Sequence, residues 1–148
     1  MLTFCVVTLF AAEPPGYKYW SAAGLQGIGE KLDSKVDAKG IATEQLATYS
    51  NHSVLMAHRV SSGEAELHVH VADLFVVESG SATLVVGGSI PHPKTTQPGE
   101  VRGETIQGGL KQQLSAGDAV HIPANTPHQL LLAPGTKLTY FVVKLKGQ

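Results

Sequence analysis

From about residue 45 onward the chain is built of short runs in which apolar and polar residues alternate, cut apart by glycine and proline. Alternation with period two puts one side of a strand into a core and the other toward water. It predicts strands at 45–50, 53–60, 74–77, 82–86, 110–114, 119–122, 128–132 and 137–146, with a further one around His68 and His70. Gly80, Gly87-Gly88, Ala116-Gly117-Asp118 and Ala133-Pro134-Gly135 supply the turns. Short, evenly spaced strands of this kind pack as one all-β barrel or jelly roll.

Two stretches break the rhythm. Residues 13–42 form a leader in which Ser21 caps a short helix carrying Leu25, Ile28 and Leu32 on one face, against the weakening effect of Gly24, Gly27 and Gly29. Residues 87–109 contain Pro91, Pro93, Pro98, Gly99, Gly103, Gly108 and Gly109 and are expected as a long irregular loop. Its charged and polar residues His92, Lys94, Glu100, Arg102 and Glu104 suit either a cover over the barrel mouth or a solvated insertion.

The candidate chemistry lies in the histidines. His68 and His70 are two positions apart, so on a strand they share a face and can share one metal ion. A third imidazole, His128, opens the apolar run Leu130-Leu131-Leu132 and would face them if the sheet closes on itself. His52 follows an asparagine in a turn and is expected at the surface. His58 and His121 lie on strands whose facing the alternation leaves open, and of Tyr140 and Phe141 one enters the barrel.

Two spaced motifs carry these residues. The first reads Gly63, His68, His70, Asp73, Gly80, and the second Gly117, Pro123, Asn125, His128, Leu132. In this the sequence resembles the cupin family, whose motifs run G-x5-H-x-H-x3or4-E-x6-G and G-x5-P-x-G-x2-H-x3-N, and the resemblance covers residues 43–146. Departures are one residue fewer between Gly63 and His68, a shorter step from His70 to the acidic position, aspartate there, Asn125 for glycine and Leu132 for asparagine. Asn125 is a mild change, since asparagine tolerates a left-handed backbone.

The resemblance implies a single cupin barrel, a double-stranded β-helix, at 43–148, with His68, His70, Asp73 and His128 as metal ligands. It implies a divalent transition metal, manganese, iron or zinc, and pairing as a homodimer. Its members include dioxygenases, isomerases and lyases, so the expected function is a metal-dependent enzyme acting on a small polar or enolisable substrate. The alternative is a non-catalytic module that uses the metal to hold a sugar or carboxylate. An acid or base group such as a tyrosine beside the metal would favour the enzyme.

Composition narrows this further. With 148 residues and 43% hydrophobic content the chain builds one core. Eleven basic and twelve acidic residues give a net charge of -1 and no basic stripe, which argues against nucleic acid and anionic membranes as partners and leaves a small molecule. The apolar N-terminal run ending in Ala11-Ala12, before Glu13-Pro14-Pro15, reads as a secretory signal over residues 1–12, too short to span or anchor in a bilayer. It implies a periplasmic or secreted protein; the competing reading, an N-terminal strand on the barrel, implies a cytoplasmic one. Cys5 is the only cysteine, so no intrachain disulfide forms.

Overall fold

A computed structural model describes residues 12–147. Residues 1–11, which carry nearly all of the segment read as an export signal, lie outside the described residues, as does Gln148.

The leader contains one helix, α1 (Ala22–Asp33), started as expected by Ser21, whose hydroxyl oxygen accepts a hydrogen bond from the Gly24 N–H at 3.1 Å. Its face of Leu25, Ile28 and Leu32 packs with Ala42, Met56 and Phe141 as a second, outer core layer. Gly29 permits the close approach, because a Cβ there would come within 2.8 Å of the Thr139 methyl group. Trp20 sets its ring edge-on against Phe141, with centroids 5.8 Å apart.

Ten strands follow: β1 (Ile41–Thr48), β2 (His52–Arg59), β3 (Ala65–His68), β4 (Val71–Val86), β5 (Lys94–Gln97), β6 (Glu100–Gly103), β7 (Leu110–Ser115), β8 (Ala119–Ile122), β9 (His128–Leu131) and β10 (Leu138–Lys146). They form one curled antiparallel sheet in the order β1-β2-β10-β4-β9-β3-β6-β5, with β7 and β8 also paired to β4. The sequence pattern predicts two strands either side of Gly80, whereas the structure has a single strand, β4, that turns a corner there. Its first part pairs with β10 and β8 and its last with β7 and β9, so it belongs to both halves of the barrel. Gly80 takes φ +83°, and a Cβ on it would overlap the Lys137 carbonyl.

The barrel core is the set of alternate residues that the period-two pattern turns inward: Phe75 and Val77 on β4, Leu138, Tyr140 and Val142 on β10, Ile122 on β8 and Leu130 on β9. Tyr140 thus enters the barrel and Phe141 faces the helix. The same alternation carried one step further brings Asp73 and Lys144 to the cavity wall, and the β4–β10 register sets these two directly opposite each other.

Residues 87–109 are not a structureless loop. They return as the hairpin β5–β6 through Gly99 at φ +77°, are closed at the base by a Ser89–Gln107 bridge, and add β6 to the sheet beside β3. A hairpin of polar residues carries little apolar alternation, so the pattern did not disclose it.

An ionic clamp fastens the end of α1 to the barrel. His58 is buried, with Nδ1 at 2.8 Å from the Thr139 hydroxyl and Nε2 at 3.0 Å from Asp33, whose two carboxylate oxygens each accept from Lys137 at 2.8 Å. The Lys137 hydrogen bonds hold the Asp33 carboxyl below its ordinary range, with His58 adding to them and desolvation opposing. A depressed folded value means that this contribution is present above the unfolded value of about 4 and is lost as pH falls through the lower, folded one. Asp33→Asn should therefore lower the urea midpoint at neutral pH, and the gap to wild type should close in acid. An equal gap at both pH values would contradict this assignment.

Candidate metal centre

Glu66 and His68 stand two apart on β3 and so face the same way, into the barrel. Because β3 lies between β6 and β9, Glu66 has Arg102 as neighbour on one side and His128 on the other, while His68 lies beside Glu100. Asp73 comes from β4, Arg59 from β2, and Tyr140 and Lys144 from β10. Arg59, Glu66, Asp73, Arg102, His128, Tyr140 and Lys144 line a cavity of about 210 Å³ whose apolar wall includes Leu55, Phe75 and Val142.

The two imidazoles are oriented alike. The His68 Nδ1 lies 2.7 Å from the Glu100 carboxylate and donates to it, which turns Nε2 toward Glu66 at 3.5 Å and Asp73 at 3.4 Å. The His128 Nδ1 donates to the Thr126 carbonyl at 3.0 Å, and its Nε2 lies 3.7 Å from Asp73. Burial pushes the His128 pKa down, against the Thr126 carbonyl and the nearby carboxylates, and favours the neutral ring. Both rings thus spend their N–H outward and bring an Nε2 lone pair inward, the tautomer that metal-bound histidines adopt.

This donor set fits a metal ion. Among the described residues Glu66, His68 and His128 offer ligand atoms that all lie within 4.8 Å of one another. Four donors around an ion at 2.0–2.2 Å stand about 3.4 Å apart, close to the separations of His68 from Glu66 and Asp73, so small side-chain movements close the set.

The structure brings three of the four residues singled out in the sequence together, His68, Asp73 and His128, and sets His70 apart. A shared face for His68 and His70 requires a strand running through both, but β3 ends at His68. The chain bends at Val69 and His70, where the Val69 N–H donates to the Gly99 carbonyl at 2.8 Å, and the His70 side chain is exposed beside Gly99. Glu66 takes the place meant for the second member of the pair. The signal was in the spacing: four residues separate His68 from Asp73, as the first cupin motif requires before its acidic residue, whereas only two separate His70 from it. With Glu66 and His68 in the two histidine positions, the rest of that motif through Gly80 falls into register. The other histidines lie elsewhere: His52 stacks on Tyr49 with centroids 4.5 Å apart, His58 faces α1 and His121 is exposed.

Further residues complete the site. Asn125, in the left-handed region at φ +57°, directs its N–H to the His68 carbonyl at 2.7 Å and so joins the turn before β9 to β3. Arg59 and Arg102 flank Glu66 at 3.4 and 3.6 Å, and Arg102 also reaches Glu100 at 3.1 Å. The Arg59 Nε donates to the Tyr140 hydroxyl at 3.1 Å. Burial raises the Tyr140 pKa more than Arg59 lowers it, so this phenol keeps its proton. Removing the carboxylate that orients His68, in Glu100→Ala, should weaken metal affinity by roughly 10- to 100-fold with the barrel intact. Unchanged affinity in a zinc titration would show that the His68 orientation does not depend on Glu100.

No protein-family model matches the sequence, and no curated protein matches it. Solved structures do. A Klebsiella pneumoniae protein with a double-stranded β-helix domain superposes with a TM-score of 0.55 over 76% of this chain and 82% of its own, at 16% identity. A polyketide cyclase from Streptomyces resistomycificus gives a TM-score of 0.52 over 72% of this chain and 66% of its own, at 17% identity. Oxalate oxidase in complex with glycolate gives 0.53 at 13% identity, over 74% of this chain and 53% of its own, so this chain spans about half that protein's length. Likeness at such identity concerns architecture: the chain folds as a double-stranded β-helix, the barrel of the cupins.

Proposed function

We propose that this protein is a metal-dependent enzyme of dioxygenase, isomerase or lyase type that acts on a small polar or enolisable substrate. Glu66, His68 and His128, with Asp73, would hold the ion. Two imidazoles with carboxylate oxygens suit iron(II), manganese or zinc. When bound, the ion supplies Lewis-acid chemistry or, for iron and manganese, redox chemistry.

The observation that carries the enzyme reading over a binding module is Tyr140. Tyr140 lines the same cavity as Asp73 and His128, and its protonated hydroxyl is held in place by Arg59. An oriented phenol can donate a proton or a hydrogen bond to a substrate oxygen where charge develops. Leu55, Phe75 and Val142 keep water from that side, and a cavity of about 210 Å³ admits a substrate of only a few carbon atoms. The polyketide cyclase and the oxalate oxidase show that this barrel serves as an enzyme scaffold in other proteins.

Metal analysis of protein purified without an affinity tag tests the reading. Wild type and His70→Ala should carry stoichiometric metal, and His68→Ala and His128→Ala should lose it. An oxygen-uptake screen of small diketones, thiols and sugar acids would then find the reaction, and Tyr140→Phe should cut turnover by about a hundredfold or more without loss of metal. Full metal occupancy in the doubly substituted His68→Ala, His128→Ala protein would refute the proposal.

A further inference from the structure

The donors that would hold the ion already hold a cation. The Lys144 ammonium lies 2.9 and 3.0 Å from the two Asp73 oxygens and 3.1 Å from the His68 Nε2. An ammonium only donates, so Nε2 is the acceptor in that contact. An imidazole nitrogen has one in-plane lone pair. It can receive the Lys144 proton or bind a metal ion, but not both at once. The β4–β10 register favours the contact, since it sets Lys144 opposite Asp73. Lys144 is also the member of the group best able to leave: its side chain is 31% exposed, against 2% for Asp73 and 4% for His68.

Charge sharpens the consequence. Glu66, Asp73 and Glu100 are matched in ion pairs by Arg59, Arg102 and Lys144. The pocket is thus balanced before any metal enters, and a divalent ion that displaces Lys144 without expelling it leaves an excess of two positive charges. In a small cavity with an apolar wall such an excess calls for an anionic ligand.

We propose that Lys144 is the resident cation of this site, exchanged for a divalent metal on loading, and that the exchange makes the cavity selective for a small acidic ligand, which the freed ammonium helps to hold. This rests on the metal-site reading above, which it deepens by naming the substrate class.

The test uses the full chain, stripped with a chelator and titrated with zinc. Lys144→Gln removes the competing charge but can still hydrogen-bond to Asp73, and it should bind zinc about tenfold tighter or more, since the buried Asp73 charge is then left uncompensated until the metal arrives. Lys144→Arg keeps the cation and should bind no tighter than wild type. In unsubstituted protein, zinc should raise the rate of Lys144 acetylation several-fold while leaving Lys39 and Lys111 unchanged, a mass-spectrometric readout that needs no variant to fold. Malonate should bind the zinc-loaded wild type, hardly bind the stripped protein, and bind zinc-loaded Lys144→Gln less well than wild type. Equal zinc affinity in wild type and Lys144→Gln together with unchanged labelling would overturn the exchange while leaving the metal site standing. Malonate affinity that does not depend on zinc or on Lys144 would overturn the ligand class. Zinc binding in none of the three proteins would remove the metal reading itself, and this inference with it.

Discussion

Asp73 is the constraint around which the pocket is organised. Its carboxylate is 2% exposed and continues the inward row of Phe75 and Val77 on β4. An uncompensated charge in such a place costs several kcal/mol, so the barrel must bring a cation or hydrogen-bond donors to it. Burial alone would raise the Asp73 pKa; the Lys144 ammonium, hydrogen-bonded to both of its oxygens, opposes this, and the carboxyl lies below its ordinary range. The fold meets this demand through register, because pairing β10 against β4 in the one frame that buries Leu138, Tyr140 and Val142 also delivers Lys144 to Asp73. Core packing and site electrostatics are therefore set by the same strand alignment.

The remaining parts of the site serve orientation. Each histidine has its outer nitrogen tied to a fixed acceptor, Glu100 for His68 and the Thr126 carbonyl for His128. Glu100 and Arg102 come from the hairpin inserted between the two motif-bearing halves of the barrel, so the insertion builds the wall of the pocket rather than hanging over it. Asn125 ties the His68 backbone to the turn that precedes β9. Two imidazoles, two carboxylates and a protonated phenol are thereby held around one small space by three different kinds of restraint: strand register, a carboxylate–histidine bond and a left-handed turn.

Much of this was legible in the sequence. Period-two alternation located β8 at its observed bounds and most of β2, β7, β9 and β10, and helical spacing identified the buried face of α1. It also placed His68 and His128 where they meet. The rest was hidden for definable reasons. Alternation says which residues share a face only while the strand continues, and nothing local announced that β3 ends at His68, because the chain there pairs with the turn at Gly99 in the distant insertion. Glu66 stands at a histidine's spacing from Asp73 and Gly80 but is a carboxylate where the motif has an imidazole, so residue type hid it. A lysine at the next alternate position after Tyr140 and Val142 reads as a surface charge until the partner strand is known to place a buried aspartate opposite it. Gly80 reads as a break, yet its positive φ lets one strand turn between the two halves of the sheet.

X-ray absorption at the metal edge of the loaded protein tests the central claim most directly, because the outer-shell scattering of imidazole rings counts the histidine ligands. The arrangement of Glu66, His68, Asp73 and His128 predicts two imidazole nitrogens with the remaining donors oxygen, at about 2.0–2.2 Å, and a spectrum unaltered by His70→Ala. Three imidazoles, or a spectrum that changes when His70 is replaced, would contradict it.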